Sequence, residues 1–165
     1  MVEMNRSDKL NIELFDLMDF YPKLPITKLD ISQFLTHGIM VKEKEFKQRV
    51  NDYDFSVFRG KAVSIYCLED AIIPSWVYLV LSEKLLSNAA YFDWKDQSTV
   101  LVDLWIRNLE NCDFKQFSGK KIVVPGNPQI PPSLYLNVSK LLSPHVQSLL
   151  YGDPSLPKVI FKRKD

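Results

Sequence analysis

Glycine is scarce in this chain, with five among 165 residues. Neither G-x-G-x-x-G nor G-x-x-x-x-G-K-[ST] occurs, so the usual backbone cradles for dinucleotides and nucleoside phosphates are missing. Histidine is scarcer still. His37 and His145 have no partner at H-x-x-x-H or H-x-x-E-H spacing, and each reads as a loop or surface residue rather than a metal ligand. No G-x-S-x-G marks a nucleophile elbow. The two cysteines, Cys67 and Cys112, lack C-x-x-C spacing, which fits a reduced, cytoplasmic protein. Apolar runs are short. The longest, Ala71 to Leu81, contains Pro74 and Ser75 and falls below the ~18 to 20 residues of a membrane span. The first nine residues are polar and lack the apolar centre of a signal peptide. An excess of one charge sign is lacking too: the net charge is +1, so no field draws the chain to nucleic acid or a lipid surface. These absences leave no catalytic signature. The sequence neither assigns nor excludes an enzymatic reaction, and no cofactor or metal is expected.

What the chain does have is a pattern written twice. Asp54-Phe55-Ser56-Val57-Phe58-Arg59-Gly60-Lys61 returns 59 positions later as Asp113-Phe114-Lys115-Gln116-Phe117-Ser118-Gly119-Lys120, sharing D-F-x-x-F-x-G-K. An apolar strand follows each copy, Ala62–Tyr66 and Lys121–Val124. Then Ile73-Pro74 with Tyr78, Leu79 and Ser82 is echoed 57 positions on by Ile130-Pro131 with Tyr135, Leu136 and Ser139. Unrelated positions match only about once in fifteen to twenty, so the ordered matches argue for an internal duplication.

The segments between these motifs complete the plan. Leu10–Leu14 alternates and reads as a short strand. Pro22 and Pro25 break it, Asp30 is placed to cap a short helix through Phe34, and Ile39–Val41 reads as another brief strand. Phe46, Val50 and Tyr53 share one face of a helix over Lys42–Tyr53, as Leu104, Trp105 and Leu109 do in Gln97–Asn111. Ile73–Leu86 is apolar on most sides and predicts a buried helix. Pro131–Val146 predicts its counterpart, with Ala89–Phe92 and Leu149–Tyr151 as returning strands and Val159–Phe161 as an edge strand. Gly60 permits a backbone that other residues resist. The implied fold is α/β: a single domain of two tandem helix-strand-helix-strand repeats forming a mixed or mostly parallel sheet covered by helices. Its parts are an extension over 1–41, repeats over about 42–94 and 95–153, and a tail over 154–165.

In open α/β sheets, ligands bind beyond the carboxyl ends of the strands. Both repeated loops, Cys67–Ile72 and Pro125–Ile130, follow strands and feed helices with free amides. If they converge, Glu69, Asp70, Asn127 and Gln129 supply polar groups beside Cys67, and Trp76 and Tyr78 supply aromatic walls. The plainer alternative is that these side chains only cap helices. Cys67 precedes a helix, which lowers a thiol pKa, but Glu69 and Asp70 oppose a thiolate. The functional expectations are a small molecule or anion bound at the paired loops or, alternatively, an interaction module such as a homodimer, its aromatics (12% of the chain) partly exposed.

The run from Ala71 through Tyr78, the Pro125–Pro132 loop and the closing Tyr151-Gly152-Asp153-Pro154 resemble an uncharacterised bacterial family, mostly from Bacteroidetes, known as domain of unknown function 2480. The resemblance covers nearly the whole chain and implies no activity. It also implies relatives with cysteines where this chain has Gly126 or Asn127, and near Ser155, so shared thiol or metal chemistry is not expected here.

Overall fold

The computed structural model describes residues 11–164. In chain order the strands are β1 (Ile12–Leu14), β2 (Ile26–Asp30), β3 (Ala62–Tyr66), β4 (Tyr91–Asp93), β5 (Lys121–Val124), β6 (Ser148–Tyr151) and β7 (Lys158–Lys162). The α-helices are α1 (Glu43–Asp52), α2 (Ser75–Leu86), α3 (Gln97–Glu110) and α4 (Pro132–Leu142). The strands form two sheets, β1-β5-β6-β7 and β2-β3-β4. All pairings are parallel except that of β7 with β6. The chain thus belongs to the α/β class. It divides into two compact units, Lys23–Leu101 and the residues up to Pro22 together with those from Val102 onward.

Each unit runs through the same elements. In Lys23–Leu101 these are β2, a 3-10 helix (Ile31–Phe34), α1, a 3-10 helix (Phe55–Phe58), β3, α2 and β4. In the other they are β1, a 3-10 helix (Leu17–Phe20), α3 from Val102 onward, a 3-10 helix (Phe114–Phe117), β5, α4 and β6. Ile12 pairs with Lys121 as Ile26 pairs with Ala62, so β1 holds in its sheet the place β2 holds in the other. Asp16 and Asp30 then each open a 3-10 helix by accepting an amide two residues on, from Met18 at 2.9 Å and Ser32 at 3.0 Å. Asp54 and Asp113 do the same for Ser56 and Lys115 at 2.9 and 3.0 Å. Short polar side chains that accept nearby backbone amides favour such turns. Gly60 and Gly119 follow at φ +70° and +71°, the left-handed conformation that glycine adopts without a Cβ penalty.

The cores are built from matching positions. Phe46, Val50, Phe55, Phe58 and Val63 are buried in one unit, and Trp105, Leu109, Phe114, Phe117 and Ile122 in the other. Each large side chain so buried contributes ~1.5 to 3 kcal/mol.

Several elements depart from the sequence reading. Ile39–Val41 is not a strand; Thr36 and Met40 form a single antiparallel bridge that closes a turn, with His37 and Gly38 at positive φ. β2 lies between the proline-marked break and the Asp30 cap, where no strand was expected. α4 ends at Leu142 rather than near Val146, because Pro144 cannot continue a helix. α2 is apolar on most sides yet not buried on most sides: Val77, Leu81 and Leu85 are interior, whereas Leu79 and Leu86 are 73% and 71% exposed. Leu10, placed at the start of the first strand, lies outside the described residues.

Candidate functional site

The residues expected to form a site are distributed over both units. Cys67, Glu69, Asp70, Trp76 and Tyr78 fall in Lys23–Leu101; Asn127 and Gln129 fall in the other. Asp70 and Glu69 are exposed, and α2 has Pro74 at its N-cap with no side-chain cap, so Asp70 does not cap it. The loop after β3 is held instead by Asp30, whose carboxylate accepts the Leu68 amide at 3.1 Å. Burial pushes the Asp30 carboxyl upward, but hydrogen bonds from the Ser32 amide and hydroxyl and from Leu68 outweigh it and leave it lowered. Cys67 is half-buried. Burial raises its thiol most, the Glu69 amide works in the other direction, and the charges of Asp30 and Glu69 raise it further. Trp76 packs edge-on against Phe46 of α1 at 5.5 Å, with the Lys47 ammonium 5.7 Å from its ring centre. Asn127 organises its own loop: its Oδ1 accepts the Gln129 amide at 2.9 Å, and its amide donates to the Tyr135 hydroxyl at 2.8 Å. Gln129 is exposed.

A cavity of about 570 Å³ lies in Lys23–Leu101, lined by Lys28, Ser64, Ile65, Tyr66, Trp94, Lys95, Asp96, Gln97 and Ser98. Its volume is in the range of small-molecule sites, roughly 300 to 1,000 Å³. Lys28 of β2 and Ser64 of β3 are register partners, as are Asp30 and Tyr66. The opposite wall is the segment from β4 into α3. The Ser64 hydroxyl donates to the Lys95 carbonyl at 2.6 Å, and the Gln97 amide group donates to the Ile26 carbonyl at 3.3 Å. Trp94 also meets Tyr78 edge-on at 5.3 Å, and both line an adjoining cavity of about 190 Å³. Of the expected residues, Tyr78 alone lines any of these spaces.

The charges of the larger cavity are unequal in their commitments. Lys95 pairs with Asp93 at 2.8 Å. Asp96 opens α3, accepting hydrogen bonds from the Ser98 hydroxyl, the Thr99 amide at 2.9 Å and the Thr99 hydroxyl at 2.8 Å. Those bonds hold its carboxyl well below the usual carboxylate range. Lys28 makes no ion pair among the described residues. Its ammonium lies 5.9 Å from the centre of the Tyr66 ring. The cavity therefore has one uncommitted cation beside two aromatic side chains. Sequence reasoning passed over it because Lys28 lies in the unrecognised strand β2, and the Asp96-x-Ser98-Thr99 capping pattern was the available signal.

A family model matches residues 2–163, and its family is described as protein of unknown function. This chain belongs to the DUF2480 family. No curated protein and no solved structure matches it. Among the described residues no group of three or more His, Cys, Asp and Glu is placed to hold a metal ion. No helix among them is long and apolar enough to cross a membrane.

Proposed function

We propose that this DUF2480 protein binds a small anionic molecule in the cavity beside β3, with Lys28 as its counter-ion. The observation that carries the reading is an exposed ammonium, without an ion pair among the described residues, on the wall of a space large enough for a ligand. We also propose that the two units are copies of one ancestral unit, supported by their shared element order and matching registers. The test is thermal melting with a panel of carboxylates, phosphates and sulfates, on the parent protein and on Lys28→Ala, Asp70→Ala and Asn127→Ala. Stabilisation by at least one anion, lost in Lys28→Ala and kept in the two loop variants, is the expected result. Stabilisation lost in Asp70→Ala or Asn127→Ala but kept in Lys28→Ala would move the site to the paired loops. Absence of any response to the panel would retire the anion reading.

A second reading rests on α2. Leu79 and Leu86 lie seven positions apart on one exposed stripe, following the exposed Ile72. Such a stripe suits contact with another protein, including a second copy of this chain. Light scattering on the parent and on Leu79→Lys/Leu86→Lys separates the cases: a dimer that becomes monomeric supports it, and a parent monomer at all concentrations removes self-association.

A further inference from the structure

The two units share some of the residues around the cavity and differ at others. Asp96 and Ser98 have counterparts in Asp153 and Ser155, where the carboxylate again accepts the hydroxyl two residues on, at 2.7 Å. Trp94 corresponds to Tyr151, also aromatic: each follows the residue opposite Ser64 or Val123, although Tyr151 is itself paired with Val124. These features recur in both units and are explained by the fold. Lys28, Ser64 and Tyr66 do not recur. By sheet register their counterparts are Leu14, Val123 and Pro125, so a leucine and a valine satisfy the same pair of sheet positions. The corresponding places in the other sheet are thus filled without a lysine or a tyrosine.

From this asymmetry we infer that the ligand is a planar aromatic monocarboxylate, its acid group on Lys28 and its ring against Tyr66 and Trp94. The inference rests on the anion-site reading and narrows it. A multiply charged phosphate is opposed more than a monoanion by the Asp96 carboxylate in the lining, and Lys95, paired to Asp93, offsets little of that. A single negative charge balances the single uncommitted ammonium. Aromatic side chains offer a flat partner large apolar contact at little ordering cost, which an aliphatic acid as small as acetate cannot use.

The experiment is a titration followed by amide chemical shifts of Lys95 to Ser98, using benzoate, acetate, inorganic phosphate and benzylamine as probes. Saturable shifts with benzoate are expected, with acetate and phosphate weaker by about tenfold or more. Lys28→Leu, the residue the other unit uses, should fold and weaken benzoate by about tenfold, and Lys28→Arg should restore it. Phosphate or acetate binding as tightly as benzoate, with the same dependence on Lys28, would overturn the aromatic assignment while leaving the anion site standing. Benzylamine binding as tightly as benzoate would overturn both, as would benzoate binding unaffected by Lys28→Leu. No saturable shift with benzoate overturns the inference, and none with any anion removes the site as well.

Discussion

The indole Nε1 of Trp105 donates a 2.8 Å hydrogen bond to the carbonyl oxygen of Leu17, both buried, although the residues are 88 positions apart. The bond joins α3 to the 3-10 helix after β1. Nearby, the Asn108 side chain donates to the Phe20 carbonyl at 3.1 Å. In the other unit Arg49 of α1 donates to the Leu35 carbonyl, so a helix side chain again satisfies a carbonyl at the end of the 3-10 turn.

Trp105→Phe removes the donor while keeping most of the ring volume, and leaves the Leu17 carbonyl with only the bond of its own 3-10 turn. The expected cost is ~0.5 to 1.5 kcal/mol. Trp105→Ala adds a cavity and should cost ~3 to 5 kcal/mol. Urea unfolding measures both. A Trp105→Phe variant within ~0.5 kcal/mol of the parent would show that the bond contributes nothing to stability.

Cys67 should be a slow nucleophile. Burial raises its thiol most, and Asp30 and Glu69 add like charge against the thiolate. The rate of iodoacetamide alkylation should stay low through neutral pH and climb only above the reference value of ~8.5. The linkage sign follows: a folded pKa above the unfolded one contributes stability below ~8.5 that is lost as pH rises through the folded value. Fast alkylation of Cys67 at pH 7 would contradict the burial and charge arguments together.

Much of the architecture was legible because it depends on local chemistry. The D-F-x-x-F-x-G-K motif encodes an aspartate-capped turn, two buried aromatics and a positive-φ glycine, and each appears twice. The first third of the chain was harder to read. Ile12, Asp16 and Phe20 match Ile26, Asp30 and Phe34, 14 positions on, but the matching stretches lie so close together that they read as one irregular segment. Each half supplies a strand to a different sheet, which only long-range pairing decides. The exposed leucines of α2 were misjudged because composition reports how apolar a helix is, not which side meets a neighbour. The cavity was missed for a related reason: Lys28, Tyr66 and Trp94 are brought together by parallel register, and no spacing in the sequence announces it.

Asp96 offers the sharpest pH test. The Ser98 hydroxyl, then the Thr99 amide and hydroxyl, hold its carboxyl below the usual range by bonding to the charged form. A depressed folded pKa contributes stability above the unfolded value of ~3.9 that is lost as pH falls through the folded one. Asn is also a good N-cap, with an oxygen for the Thr99 amide but no titrating proton. Asp96→Asn should therefore stay close to the parent in stability at pH 7, and its stability should fall less steeply between about pH 4 and pH 2. Asp30, Asp54, Asp153 and Glu45 are also lowered, so the acid loss should be reduced, not abolished. The substitution also removes the carboxylate from the cavity lining. If Lys28 is the counter-ion of a bound anion, Asp96→Asn should tighten that anion, since a like charge leaves the site. Acid-unfolding curves with an unchanged slope would show that the cap does not form in solution, and weaker anion binding in the variant would count against the cavity as the anion site.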